Sequence, residues 1–140
     1  LVGAADEVRP LLGLADAFAL TSTAVETFSN AALEAMAMGL PVILSRIGGA
    51  AEMVEAGRIG FLYSPGNVAE LAKHIAALAR DEALTRKMGA EAASRVQGEF
   101  AFARMLGEYR NLLFPSGTNP PEVERKSSHR RLQLTAPDAD

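Results

Sequence analysis

The chain has 140 residues, 49% of them apolar, and a net charge of −3, so it can bury a globular core and lacks the basic field that would draw it to nucleic acid or an anionic membrane. With no cysteine, a disulfide framework, a thiolate metal site and a cysteine nucleophile are all excluded. The lack of cysteine fits the expected cytoplasmic location. No apolar run approaches the ~20 residues of a membrane span, and the start, Leu1-Val2-Gly3, has neither an initiator Met nor a signal-peptide pattern, which reads as a chain beginning in mid-sequence.

The elements follow in order. Asp6 caps a short helix in which Pro10 falls in the first turn. Ala17 to Leu20 reads as a short buried strand. A polar loop leads into a helix from about Ser29 to Met38, closed by Gly39 and prevented from continuing by Pro41. Pro41 to Leu44 is a second buried strand, Gly48-Gly49 a turn, and Ala50 to Ala56 a short helix. Gly60 to Tyr63 is a third strand, and Ser64-Pro65-Gly66-Asn67 a turn that ends in a helix cap. After it, Val68, Leu71, Ala72, Ile75, Leu78 and Ala79 recur at helical spacing. A helix from about Glu82 to Val96 follows, then one with Phe102, Met105, Leu106, Tyr109, Leu112 and Leu113 on one stripe. From residue 115 the composition turns to Pro, Ser and charge, the signature of a disordered tail (115–140) behind one folded unit (1–114).

Strands alternating with helices predict an α/β fold, a Rossmann-like parallel sheet with flanking helices. Three strands make a thin sheet, which suggests the later part of a larger domain. In such sheets ligands bind at the carboxyl ends of the strands. The loop from Thr23 to Phe28 lies there and opens the helix at Ser29, Asn30 and Ala31, whose small side chains let an anion reach the unpartnered N–H groups of the first turn. Glu26 precedes the helix, and Glu34 lies one turn inside it, roughly 6 Å along the axis. Two ionised carboxylates beside a phosphate repel it unless each faces hydroxyls to either side. A nucleoside diphosphate sugar satisfies that condition, with Glu26 on the sugar and Glu34 on the ribose. The competing reading is a pair of solvated surface glutamates. Against it, Ala31, Ala32, Leu33, Ala35, Met36 and Ala37 make the helix look buried nearly all round, where a carboxylate needs a partner.

At these residues the sequence resembles the retaining glycosyltransferases of the GT-B fold, the glycosyl transferases group 1 family (family four). Glu26 to Glu34 looks like their E-x7-E signature, and Ala35 to Val42 resembles its continuation. Leu14 to Ser22 before it, and Gly48 to Val54, Gly60 to Leu62, Pro65 to Asn67 and Leu71 after it, extend the likeness in order over about Gly3 to Phe114. The resemblance implies two Rossmann-like domains, this chain being the later half of the C-terminal, donor-binding one. It implies Glu26 as the catalytic residue orienting the transferred sugar, the backbone of Ser29, Asn30 and Ala31 at the distal phosphate, Glu34 on the ribose, and Phe28 among the donor-binding residues. No metal and no cofactor beyond the donor substrate are expected. Two positions depart from the pattern: Ser29 stands where many members have Gly, and Arg46 where a short polar residue is common. The family's basic pair does not precede Glu26, where Arg9 is the one cation, and the N-terminal acceptor domain is missing. The isolated chain is therefore expected to be inactive, and peripheral membrane association would run only through the missing domain.

The alternatives are a truncated, non-catalytic remnant that binds nucleotide or a protein partner, and a sugar-nucleotide epimerase of similar architecture. His74, His129, Glu52, Met36 and Met38 are assigned no chemistry.

Overall fold

The computed structural model describes residues 7–115; Asp6, His129 and nearly all of the expected tail lie outside them, and the first helix has Val8 rather than the expected Asp6 as its N-cap. The order is α1 (Arg9–Leu12), β1 (Phe18–Leu20), α2 (Asn30–Ala37), β2 (Val42–Ser45), α3 (Ala50–Met53), β3 (Gly60–Tyr63), α4 (Val68–Arg80), α5 (Glu82–Glu99) and α6 (Phe102–Leu113). The strands form one parallel sheet in the order β1-β2-β3, with Phe18 beside Val42 and Ser45 beside Tyr63. This is the expected Rossmann-like α/β arrangement.

All four residues of β2 are buried, as a central parallel strand covered on both faces must be. Val42 and Leu44 pack with Ala32, Ala35 and Met36 of α2, Met53 of α3 and Ala92 of α5. Ile43 faces the other way, with Tyr63, Leu78 of α4 and Met88 of α5. The long helix α5 thus serves both layers. It crosses the end of α2 so closely that a methyl group at Gly89 would lie 2.0 Å from the Gly39 carbonyl oxygen.

Three expectations change, at β1, α3 and α5. β1 is an edge strand with Ala19 exposed, not a buried one, because no strand pairs with its outer side among the described residues. A groove of about 750 Å³, lined by Phe18, Ile43, Ile75 and Leu78 among others, opens beside it. Helix α3 stops at Met53: Val54 becomes extended (φ −119°, ψ 116°) and buries its branched side chain. Helix α5 runs past Val96 to Glu99. The apolar stripe of α6, from Phe102 to Leu113, is exposed rather than packed. No helix among the described residues is long and apolar enough to cross a membrane.

Candidate functional site

The site is assembled where β1 and β2 end. The chain leaves β1 into the loop 21–29 and leaves β2 into the turn at Gly48-Gly49, and these two segments are fastened together. Ser45 Oγ donates to the Ser22 carbonyl at 2.6 Å, tying the root of the loop to β2. The Gly49 N–H donates to the Thr27 carbonyl at 2.6 Å. Gly48 has φ +51° and presses on the Glu26 carbonyl, leaving no room for a side chain. A turn that the sequence marked only as Gly-Gly therefore shapes the backbone that carries Glu26, which is itself half-buried.

Helix α2 begins at Asn30 with Ser29 as its N-cap. The Ser29 hydroxyl accepts the Ala32 N–H at 3.2 Å, which explains why Ser29 is 7% exposed while Asn30 and Ala31 are open to solvent. The Asn30 and Ala31 N–H groups find no acceptor among the described residues. Together with the positive end of the helix dipole they form an anion-receptive surface. Of the expected phosphate contacts, Ser29 acts through its cap, and the free donors are the next two amides.

Glu34 corrects the sequence reading. The helix is not buried nearly all round: Ala32, Ala35 and Met36 face the core, whereas Asn30, Ala31, Glu34, Ala37 and Met38 face solvent. Small alanines make a helix look apolar on every side while leaving one face free to be wet. Glu34 thus needs no buried partner. It does share the exposed face of Asn30 and Ala31, at the i+4 and i+3 spacing that stacks side chains along a helix. Glu34 and the free amides are brought together, with Glu26 in the adjoining loop.

Phe28 sits at the joint. Its ring meets Phe100 edge-on, with centroids 5.4 Å apart, and also lies against Gly49. Phe100 lies in turn under the Arg95 guanidinium, 5.5 Å from ring centre to Cζ. Arg95, 14% exposed, bonds the Glu52 carbonyl at 2.9 Å, Glu55 at 2.8 Å and Glu99 at 3.1 Å. Sequence reasoning missed this set because Arg95 and Phe100 lie 67 and 72 positions from Phe28 and share no local motif with it. It also missed Val25, whose φ of +39° is rare for a β-branched residue.

The remaining candidates are placed as follows. His74, on α4, stacks on Phe61 with ring centroids 4.4 Å apart. Met36 is core, and Met38 and Glu52 are exposed. Arg46 is exposed just beyond β2. Arg9 is held by Glu7 at 2.5 Å. Among the described residues no three His, Asp or Glu are grouped to hold a metal ion.

A parallel three-stranded sheet with flanking helices defines a Rossmann-like α/β domain. Comparison with known proteins says which: residues 1–95 match the family model for glycosyl transferases group 1, and the chain belongs to that family. It corresponds to the later part of the C-terminal domain of GT-B glycosyltransferases. It is 34% identical over 113 residues to N-acetyl-alpha-D-glucosaminyl L-malate synthase of Bacillus anthracis, covering 81% of this chain and 29% of that protein. Crystal structures of Anabaena Alr3699/HepE are 35% identical and superpose with TM-scores of 0.71 in complex with UDP and 0.70 in complex with UDP-glucose. Each covers 74% of this chain and 28% of the Anabaena one. The chain spans about three-tenths of the length of these relatives.

Proposed function

We propose that this chain supplies part of the donor site of a retaining glycosyltransferase, which moves a sugar from a nucleoside diphosphate sugar to an acceptor. The observation that carries the proposal is the common exposed face of Asn30, Ala31 and Glu34, with the pinned Glu26 loop beside it. The Asn30 and Ala31 amides and the dipole of α2 receive the distal phosphate, and they stabilise charge that grows on the diphosphate as the glycosidic bond breaks. Glu34 accepts from the ribose hydroxyls. Glu26 accepts from a hydroxyl of the transferred sugar and fixes its orientation. In this reading the chain works within a protein of its relatives' length, whose remainder brings the acceptor site and further cationic groups for the leaving diphosphate. The reaction needs no resident metal, and the isolated chain is inactive.

The UDP and UDP-glucose complexes of the Anabaena neighbour support a nucleotide-sugar ligand. The test is calorimetric titration of the full-length protein with a panel of nucleoside diphosphate sugars, beginning with UDP-glucose, followed by NMR of the product anomer. Binding of one donor and a product of the donor's own anomeric configuration are expected. Absence of binding across the panel contradicts the site, and an inverted product contradicts the stereochemistry.

A further inference from the structure

Resting on that reading, we propose that Phe100 is a positioning residue that holds Glu26 in its working orientation from the far end of α5. The loop carries one residue in an unfavourable conformation, Val25, at φ +39°. Val25 is 97% exposed, so nothing around its own side chain holds it there. The conformation is imposed from the two sides. Upstream, Ser22 is tied to Ser45. Downstream, Glu26 and Thr27 lie against Gly48 and Gly49, and Phe28 is braced by Phe100. Phe28 and Phe100 belong to neither buried cluster of the core. Their contact joins the loop to α5, and Arg95 fixes the Phe100 ring by covering it while anchored to α3 and to Glu99. Without the Phe100 edge, the loop can relax at Val25 and swing Glu26 away from the sugar.

The experiment compares Phe100→Ala, Phe100→Leu and Phe100→Tyr in the full-length protein. Phe100→Ala is expected to lower turnover at saturating donor by about 10- to 100-fold, the scale of a misplaced contact at the reacting centre, with donor KM changed by less than about threefold. Phe100→Tyr, which keeps the ring, restores turnover. Phe100→Leu, which keeps apolar bulk without the aromatic edge, restores folding but not turnover. Amide exchange of Gly49, whose N–H is held by the Thr27 carbonyl, should accelerate in Phe100→Leu while that of Ala92 in α5 does not. Adding Val25→Gly should reduce the effect of Phe100→Leu on Gly49 exchange, because less strain is left to release. Unchanged turnover in Phe100→Leu, unchanged Gly49 exchange, or an acceleration shared by Ala92 overturns the proposal. If Glu26→Ala also leaves turnover intact, the donor-site reading itself has failed; if Glu26→Ala abolishes turnover and Phe100→Leu does not lower it, only the brace is wrong.

Discussion

Gly48 lies directly against Glu26: any side chain at this glycine would put its first carbon 2.0 Å from the Glu26 carbonyl oxygen and 2.7 Å from that of Thr27. The contact crosses from the end of β2 to the loop that follows β1. It makes the shape of the Glu26 loop a property of the neighbouring strand's exit, so the two segments stand or fall together.

Gly48→Ala is therefore expected to destabilise the fold by about 2–4 kcal/mol, combining a left-handed backbone conformation unsuited to Ala with overpacking against a carbonyl that cannot yield. Chemical denaturation checks the loss. Gly66→Ala, also at positive φ but with nothing within 4 Å of the added methyl, should cost only about 1–2 kcal/mol. Equal losses at the two positions would show that the contact with Glu26 contributes nothing.

The Ser29 hydroxyl is committed to the Ala32 N–H, so Ser29→Ala should cost about 1 kcal/mol of stability through the lost cap. Ser29→Asp, which keeps a cap acceptor but adds a negative charge at the anion-receptive end of α2, should hold stability better and weaken nucleotide binding more. Thermal unfolding alongside nucleotide titration separates the two effects. Tighter nucleotide binding by the Asp variant would mean that no anion sits at this helix end.

Much of the fold is legible in the sequence because strong local signals coincide with it. The run at 42–45 is buried on both sides, Asn67 accepts the Glu70 N–H as a helix cap at 3.1 Å, and Gly39 closes α2. What is not legible depends on tertiary neighbours. The edge position of β1 and the exposed stripe of α6 are set by what lies beside them, and apolar periodicity records only that something could. The surroundings of Glu34 were misread for a related reason: alanine is apolar yet small enough to sit on either face. For the candidate site, the positions of Glu26, Glu34 and the helix start follow from local sequence. The Gly48, Gly49 and Phe100 contacts that shape the loop come from residues 22 to 74 positions from Glu26, so no spacing announces them.

The turn before α4 gives a pH dependence with a defined sign. Glu70 accepts the Ser64 N–H at 2.8 Å, and this bond, helped by the charges of His74 and Arg46, holds its carboxyl below the usual glutamate value. Folding thus favours the ionised form. The resulting stability is present above the glutamate value of the unfolded chain and is lost as pH falls through the lowered folded value. Glu70→Gln removes that dependence. The difference in urea midpoint between the parent and Glu70→Gln should be larger at neutral pH and shrink on acidification below the usual glutamate range. A difference that stays constant over this range would show that the ionised carboxylate is not favoured by the fold.

If Glu34 and Glu26 serve the two ends of one nucleotide sugar, Glu34→Ala and Glu26→Ala must fail differently when donor affinity and turnover are measured in parallel in the full-length protein. Glu34→Ala should weaken donor binding by about 1–3 kcal/mol, the scale of hydrogen bonds to a charged group, partly offset by removing a negative charge beside the diphosphate. Glu26→Ala should lower turnover at saturating donor far more than it lowers affinity, because the contact it removes aligns the reacting sugar. Intact donor affinity in Glu34→Ala, or unchanged saturated turnover in Glu26→Ala, would show that the residue does not hold its end of the donor.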